Sequence, residues 1–68
     1  MKIEYDNEAD AAYLYLKYPI KDGEASRSKE LKENIVLDYD SDGKLLGVEI
    51  LNASKVLNKE ALLSVKAM

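Results

Sequence analysis

Four acids at calcium-loop spacing are the residues that could most readily do chemistry. Asp38-x-Asp40-x-Asp42-Gly43 is completed by Glu49, and the set matches an EF-hand loop at every defined position, with apolar Leu45 at the eighth. In such a loop the acids at positions one, three, five and twelve supply oxygens to a hard cation, and the glycine permits a sharp bend. The flanking residues point elsewhere. An EF-hand needs a helix on each side, whereas residues 34–40 and 44–51 carry the β-branched, alternating pattern of strands. The same acids then read as solvated side chains of a β-hairpin, with Asp38, Asp40 and Glu49 on its polar face and Asp42 at its tip. Three carboxylates on one face would hold calcium only weakly.

Other chemistry is sparser. The chain has no histidine and no cysteine, so the commonest general base, the thiol nucleophile, thiolate metal sites and disulfides are all excluded. Ser26, Ser28, Ser41, Ser54 and Ser64 therefore have no histidine to activate them. Carboxylate pairs such as Glu8 with Asp10 exist, but 68 residues enclose little volume in which to tune their pKa values. The three glycines form no phosphate-cradling motif. No catalytic residue and no cofactor is assigned, and the expectation is a protein that is not an enzyme.

Thirteen acids against ten bases leave a net charge of −3, and a phosphate backbone is recognised by the opposite balance. Arg27, Lys29 and Lys32 are interleaved with Glu24, Glu30 and Glu33, a solvated strand and turn in place of a nucleic-acid site. No apolar run is long enough to span a bilayer, and Met1-Lys2 leads directly into a strand pattern. These features predict a cytoplasmic protein that binds neither nucleic acid nor membrane.

The elements that must position these residues follow from periodicity. Residues 2–6 alternate in polarity, 11–18 are rich in tyrosine, 24–31 form a charged edge strand, and 34–40 and 44–51 are the clearest strands. Pairing Tyr5 with Ala12 and Ile3 with Leu14 across residues 7–10 makes one face of the first hairpin apolar. In the second hairpin a two-residue Asp42-Gly43 turn, the preferred type I′ dipeptide, pairs Tyr39 with Leu46, Leu37 with Val48 and Ile35 with Ile50. A three-residue loop would instead mix polarity on both faces. A helical stretch over about 53–66 follows, capped by Asn52 or Ser54, with Asn58 able to end a first turn and cap a second helix from Lys59. The fold class is thus α+β: one domain over 1–68, an antiparallel β-meander of four to five strands with a short C-terminal helix.

The strings Tyr5-Asp6-x-Glu8-Ala9-Asp10-Ala11, Asp38-Tyr39-Asp40-x-Asp42-Gly43 and Leu46-Gly47-Val48-Glu49-Ile50-Leu51-x-Ala53-Ser54 resemble the small bacterial and archaeal proteins grouped as domain of unknown function 2283. The resemblance runs from residue 2 to about residue 56. It implies a compact β-rich domain with a terminal helix, and it brings no established activity and no catalytic residues.

Function is sought on the sheet faces. Tyr5 and Tyr39 fall on the predicted core face, while Tyr13 and Tyr15 fall on the other, with Val36 and Leu45 on the matching outer face of the second hairpin. A contiguous tyrosine-bearing apolar patch is the mark of an interface. The expected partners are a second copy of the chain, a dimer foremost, or another protein. An antitoxin-like acidic partner of a basic protein is the alternative.

Overall fold

The computed structural model describes residues 1–67. Five strands, β1 (Lys2–Asp6), β2 (Ala11–Tyr15), β3 (Arg27–Lys32), β4 (Ile35–Tyr39) and β5 (Leu45–Ile50), precede two helices, α1 (Ala53–Val56) and α2 (Lys59–Lys66). The strands form one sheet in the order β1-β2-β5-β4-β3, with every neighbouring pair antiparallel. Two locally paired units are therefore joined side by side, the β1–β2 hairpin and the β3–β4–β5 meander, with β5 entering next to β2. No helix among the described residues is long and apolar enough to cross a membrane.

The first hairpin has Tyr5 opposite Ala12 and Ile3 opposite Leu14, the pairing that alternation demands. Its turn is held by the Asp6 carboxylate, which accepts from the backbone N–H groups of Glu8 and Ala9. Asp10 leaves the turn in the left-handed region, at φ 51.

The second hairpin keeps the expected inner pairs, Ile35 with Ile50 and Leu37 with Val48, but reaches them differently. Of the loop residues only Gly43 has positive φ, at 78, so the type I′ geometry, which needs two, is not adopted. The Gly43 N–H donates to the Asp40 carbonyl and the Asp40 N–H to Lys44, enclosing a three-residue loop. The Asp40 carboxylate stabilises it by accepting from the N–H groups of Asp42 and Lys44, both at 2.9 Å. Tyr39 then faces Leu45, not Leu46, and Leu46 is the extra residue of a bulge that restores the apolar register beyond it. Loop length alone offered two registers; a bulge supplies a third solution that keeps the apolar pairs.

That bulge also shortens β2, which stops at Tyr15 and does not run to residue 18. The Leu46 carbonyl accepts from both Leu16 and Lys17, which closes the ladder there. The connection to β3 is clamped by Lys17, whose ammonium donates to the Pro19 carbonyl and the Glu24 carboxylate. β3 begins at Arg27 and carries its own bulge between Glu30 and Lys32.

The C-terminal helical stretch is two helices, parted at Asn58. Leu57 is extended, and the Asn58 side chain accepts from the Ala61 N–H to start α2 afresh. Asparagine competes well for an N-cap, and here it breaks the helix that the apolar spacing alone would continue. The helices lie on the sheet face that carries Ile3 and Tyr5, with α2 against β1 and the Lys66 ammonium 5.5 Å from the Tyr5 ring centre. A staple fixes α1: Asp10 accepts from the Tyr5 hydroxyl, the Ser54 hydroxyl and the Ser54 N–H, while its carbonyl accepts from Ala53. Ala53 is consequently fully buried.

Candidate functional site

The register brings two cross-strand rows together on the sheet face away from the helices. One runs Glu4, Tyr13, Glu49, Val36, Glu30, and the next runs Lys2, Tyr15, Gly47, Asp38, Ser28. Residues directly opposite one another on neighbouring strands share a face, so nine side chains and Gly47 form one surface.

At its centre is Gly47. A Cβ built there would come within 2.5 Å of the Tyr13 ring and hydroxyl, so the tyrosine lies flat across the glycine. Only a residue without a side chain leaves room for that crossing. The ring thereby spans β5, and its hydroxyl donates to Asp38 Oδ2 at 2.8 Å. The Ser28 hydroxyl, from the far edge strand, donates to the other oxygen, Oδ1. Asp38 is only 5% exposed, and among the described residues no buried side-chain polar atom lacks a hydrogen-bond partner.

The electrostatics follow from this packing. Burial opposes the charge on Asp38, but hydrogen bonds from Ser28, Tyr13 and Glu49 outweigh it and hold the carboxyl below the ordinary carboxylate range. Burial pushes Glu49 upward, and the neighbouring Asp38 carboxylate adds to the rise by hydrogen bonding and repulsion. The two acids thus titrate apart, Asp38 giving up its proton before Glu49. Burial raises the Tyr13 phenol, and its donation to Asp38 raises it further, so it stays protonated as a donor.

A carboxyl with a raised pKa is what acid catalysis uses, and here it sits inside a hydrogen-bonded cluster. Both Asp38 oxygens are occupied. The depression beside Glu49, lined in part by Glu4, Asp6, Tyr13 and Leu51, encloses about 180 Å³. Pockets that take small molecules run from roughly 300 to 1,000 Å³. The cluster locks β2, β5, β4 and β3 together across their rows.

The outer part of the same face is aromatic. Tyr15 packs on Tyr13 with ring centres 4.6 Å apart and meets the edge of Tyr18 at 5.0 Å. Its hydroxyl donates to Glu4, and the Lys2 ammonium sits 4.1 Å from the Tyr18 ring centre.

The four acids of the calcium-loop pattern are not gathered around a point. Asp38 and Glu49 belong to the tyrosine cluster, Asp40 holds the turn, and Asp42 lies exposed at the tip. Among the described residues no group of three acids could hold a metal ion. Of the interface candidates, Tyr13, Tyr15 and Val36 do share a face. Leu45 does not: the bulge sets it opposite Tyr39, on the helix side of the sheet, where it is 42% exposed. Ser28 and Gly47 were missed, although a glycine inside a strand pattern is itself a signal of close approach by another group.

The strings that build these clusters are those of a known family. The family model described as "Protein of unknown function (DUF2283)" matches residues 2–54. The chain belongs to this family. DUF2283 residues 2–54 therefore include the Asp10 staple, the Asp40 turn and the whole Tyr13–Asp38–Glu49 cluster, and the family label assigns none of them a function. Among curated proteins, the uncharacterized protein MJ0789 of Methanocaldococcus jannaschii is 40% identical over 58 residues, which are 85% of this chain and 46% of that protein. The chain thus spans about half the length of this relative. No solved structure matches the DUF2283 chain.

Proposed function

We propose that the protein is a non-catalytic interaction module that works as a homo-oligomer, a dimer foremost, in a reducing compartment such as the cytoplasm. One observation carries the reading: the chain does not finish its own core. Its buried apolar residues are Ala12, Leu46 and Ala53, and among the described residues no large side chain is fully buried. The helices pack on β1, so Ile35, Leu37 and Tyr39 of β4 and Val48 of β5 stay half-exposed on the same face. The accessible surface of 4937 Å² exceeds the roughly 4,300 Å² typical of a compact monomer of this mass. That excess approaches the roughly 800 Å² per partner of a standard interface. Sedimentation equilibrium at micromolar concentration should give a dimer, and a pure monomer up to 100 µM removes the proposal.

A second reading, binding to a basic protein as an antitoxin binds its toxin, draws on the opposite face, where Glu4, Asp6 and Glu30 surround the tyrosines. Acidic charge around aromatic anchors suits a basic partner. Co-expression with a small basic protein encoded beside it should give a complex that salt weakens, and separate elution of the two at low salt discards this reading.

A further inference from the structure

We infer that two copies join through β1, edge to edge and antiparallel about a twofold axis at Ile3, making one ten-stranded sheet. This rests on the reading of the protein as self-associating and places the contact at a sheet edge, apart from the half-exposed β4–β5 face. The sheet has two free edges, and they differ in kind. β3 is guarded: Arg27, Lys29 and Lys32 line it and a bulge between Glu30 and Lys32 breaks its regular course along β4. Charge and bulges are how edge strands avoid pairing. β1 has no bulge, and its charges, Lys2 against Glu4 and Asp6, are of mixed sign and can complement a second copy. It is regular from Lys2 to Asp6, and an open trough of about 720 Å³ runs along residues 2–8 with no wall from α2.

The β1 sequence is self-complementary in one register. A twofold axis at Ile3 sets Ile3 against Ile3 of the second copy, Lys2 against its Glu4, and Met1 against its Tyr5. The helix face then receives only apolar pairs and the tyrosine face only opposite charges, with Ile3 meeting Ile3 once on the axis and every other pair made twice. An axis at Glu4 would oppose two glutamates, and an axis between residues would set apolar side chains against polar ones. Met1, 88% exposed in the single chain, finds a partner only in the first arrangement.

The test exploits the reciprocal charges. Lys2→Glu and Glu4→Lys each place like charges opposite one another twice and should weaken the dimer about tenfold. Mixed one to one, the two variants restore both pairs across the interface, whereas the Lys2–Glu4 contact inside each chain, 3.6 Å in the native protein, stays broken. The mixture should therefore dimerise like the native protein. In a chain without cysteine, Ile3→Cys should form a disulfide-linked dimer under mild oxidation, while Lys29→Cys on the other edge stays reduced. A native dimer whose mixed variants show no recovery, or whose Ile3→Cys form does not cross-link, overturns the β1 interface and leaves self-association standing. A native monomer overturns both.

Discussion

Gly47→Ala tests the central cluster at its tightest point. The added methyl would lie 2.5 Å from Tyr13, so the ring must leave and its hydroxyl must release Asp38. Losing a hydrogen bond to a buried carboxylate costs about 1.5–3 kcal/mol. The displaced ring also gives up its packing on Tyr15, worth about 0.5–1.5 kcal/mol. Against this, alanine is preferred over glycine within a strand by about 0.5–1 kcal/mol. The net loss is about 2–3 kcal/mol, or roughly 10–20 °C in Tm for a domain of this length. Urea titration followed by circular dichroism measures it, and a double-mutant cycle isolates its cause. With Tyr13→Val already in place the ring is gone, so adding Gly47→Ala should be neutral or stabilise by about 0.5 kcal/mol. If Gly47→Ala still costs about 2 kcal/mol in that background, the tyrosine crossing is not the reason for the glycine.

Three further outcomes follow from the same geometry. Asp40→Ala removes the acceptor of two turn N–H groups and should cost about 1–2 kcal/mol by urea titration, whereas Asp42→Ala should stay within about 0.5 kcal/mol. Gly43 fails differently from Gly47: a Cβ there meets open space but φ is 78, so Gly43→Ala should cost about 1 kcal/mol and Gly43→Asn much less, while asparagine at 47 should be as harmful as alanine. For pH, the lowered Asp38 binds fewer protons in the folded chain than in the unfolded one, so its contribution is present above its ordinary 3.8 and lost as pH falls through its folded value. The raised Glu49 binds more, so stability declines as pH rises from 4.5 toward its folded value, and Glu49→Gln should abolish that decline in chemical denaturation measured from pH 4 to 8.

Much of this architecture was legible because strand alternation is local. Tyr5–Ala12, Ile3–Leu14, Leu37–Val48 and Ile35–Ile50 each follow from matching apolar positions across a nearby turn. The bulge at Leu46 was not legible, since one extra residue changes no local preference and is decided by the carboxylate of Asp40 and the needs of β2. The cluster was half-visible. Asp38 and Glu49 were placed on one face, but Tyr13 reaches Asp38 only because β2 pairs with β5, a contact between distant segments that no periodicity specifies. The exchange of a calcium loop for a carboxylate pair, buried at Asp38 and half-buried at Glu49, turns on that long-range pairing.

The insertion of β5 between β4 and β2 has a consequence for how the molecule opens. The β1–β2 hairpin and the β3–β4–β5 meander each close over short stretches of chain, but the seam between them joins segments more than 30 residues apart. Closing a long loop carries an entropic cost that neighbouring hairpins avoid. The seam is therefore the last line to zip and the first to part, held by one ladder, the Tyr13 crossing, the Asp10 staple and the packing of α2 on β1. These four fastenings make the protein behave as one cooperative unit, and without them it is two hinged leaves.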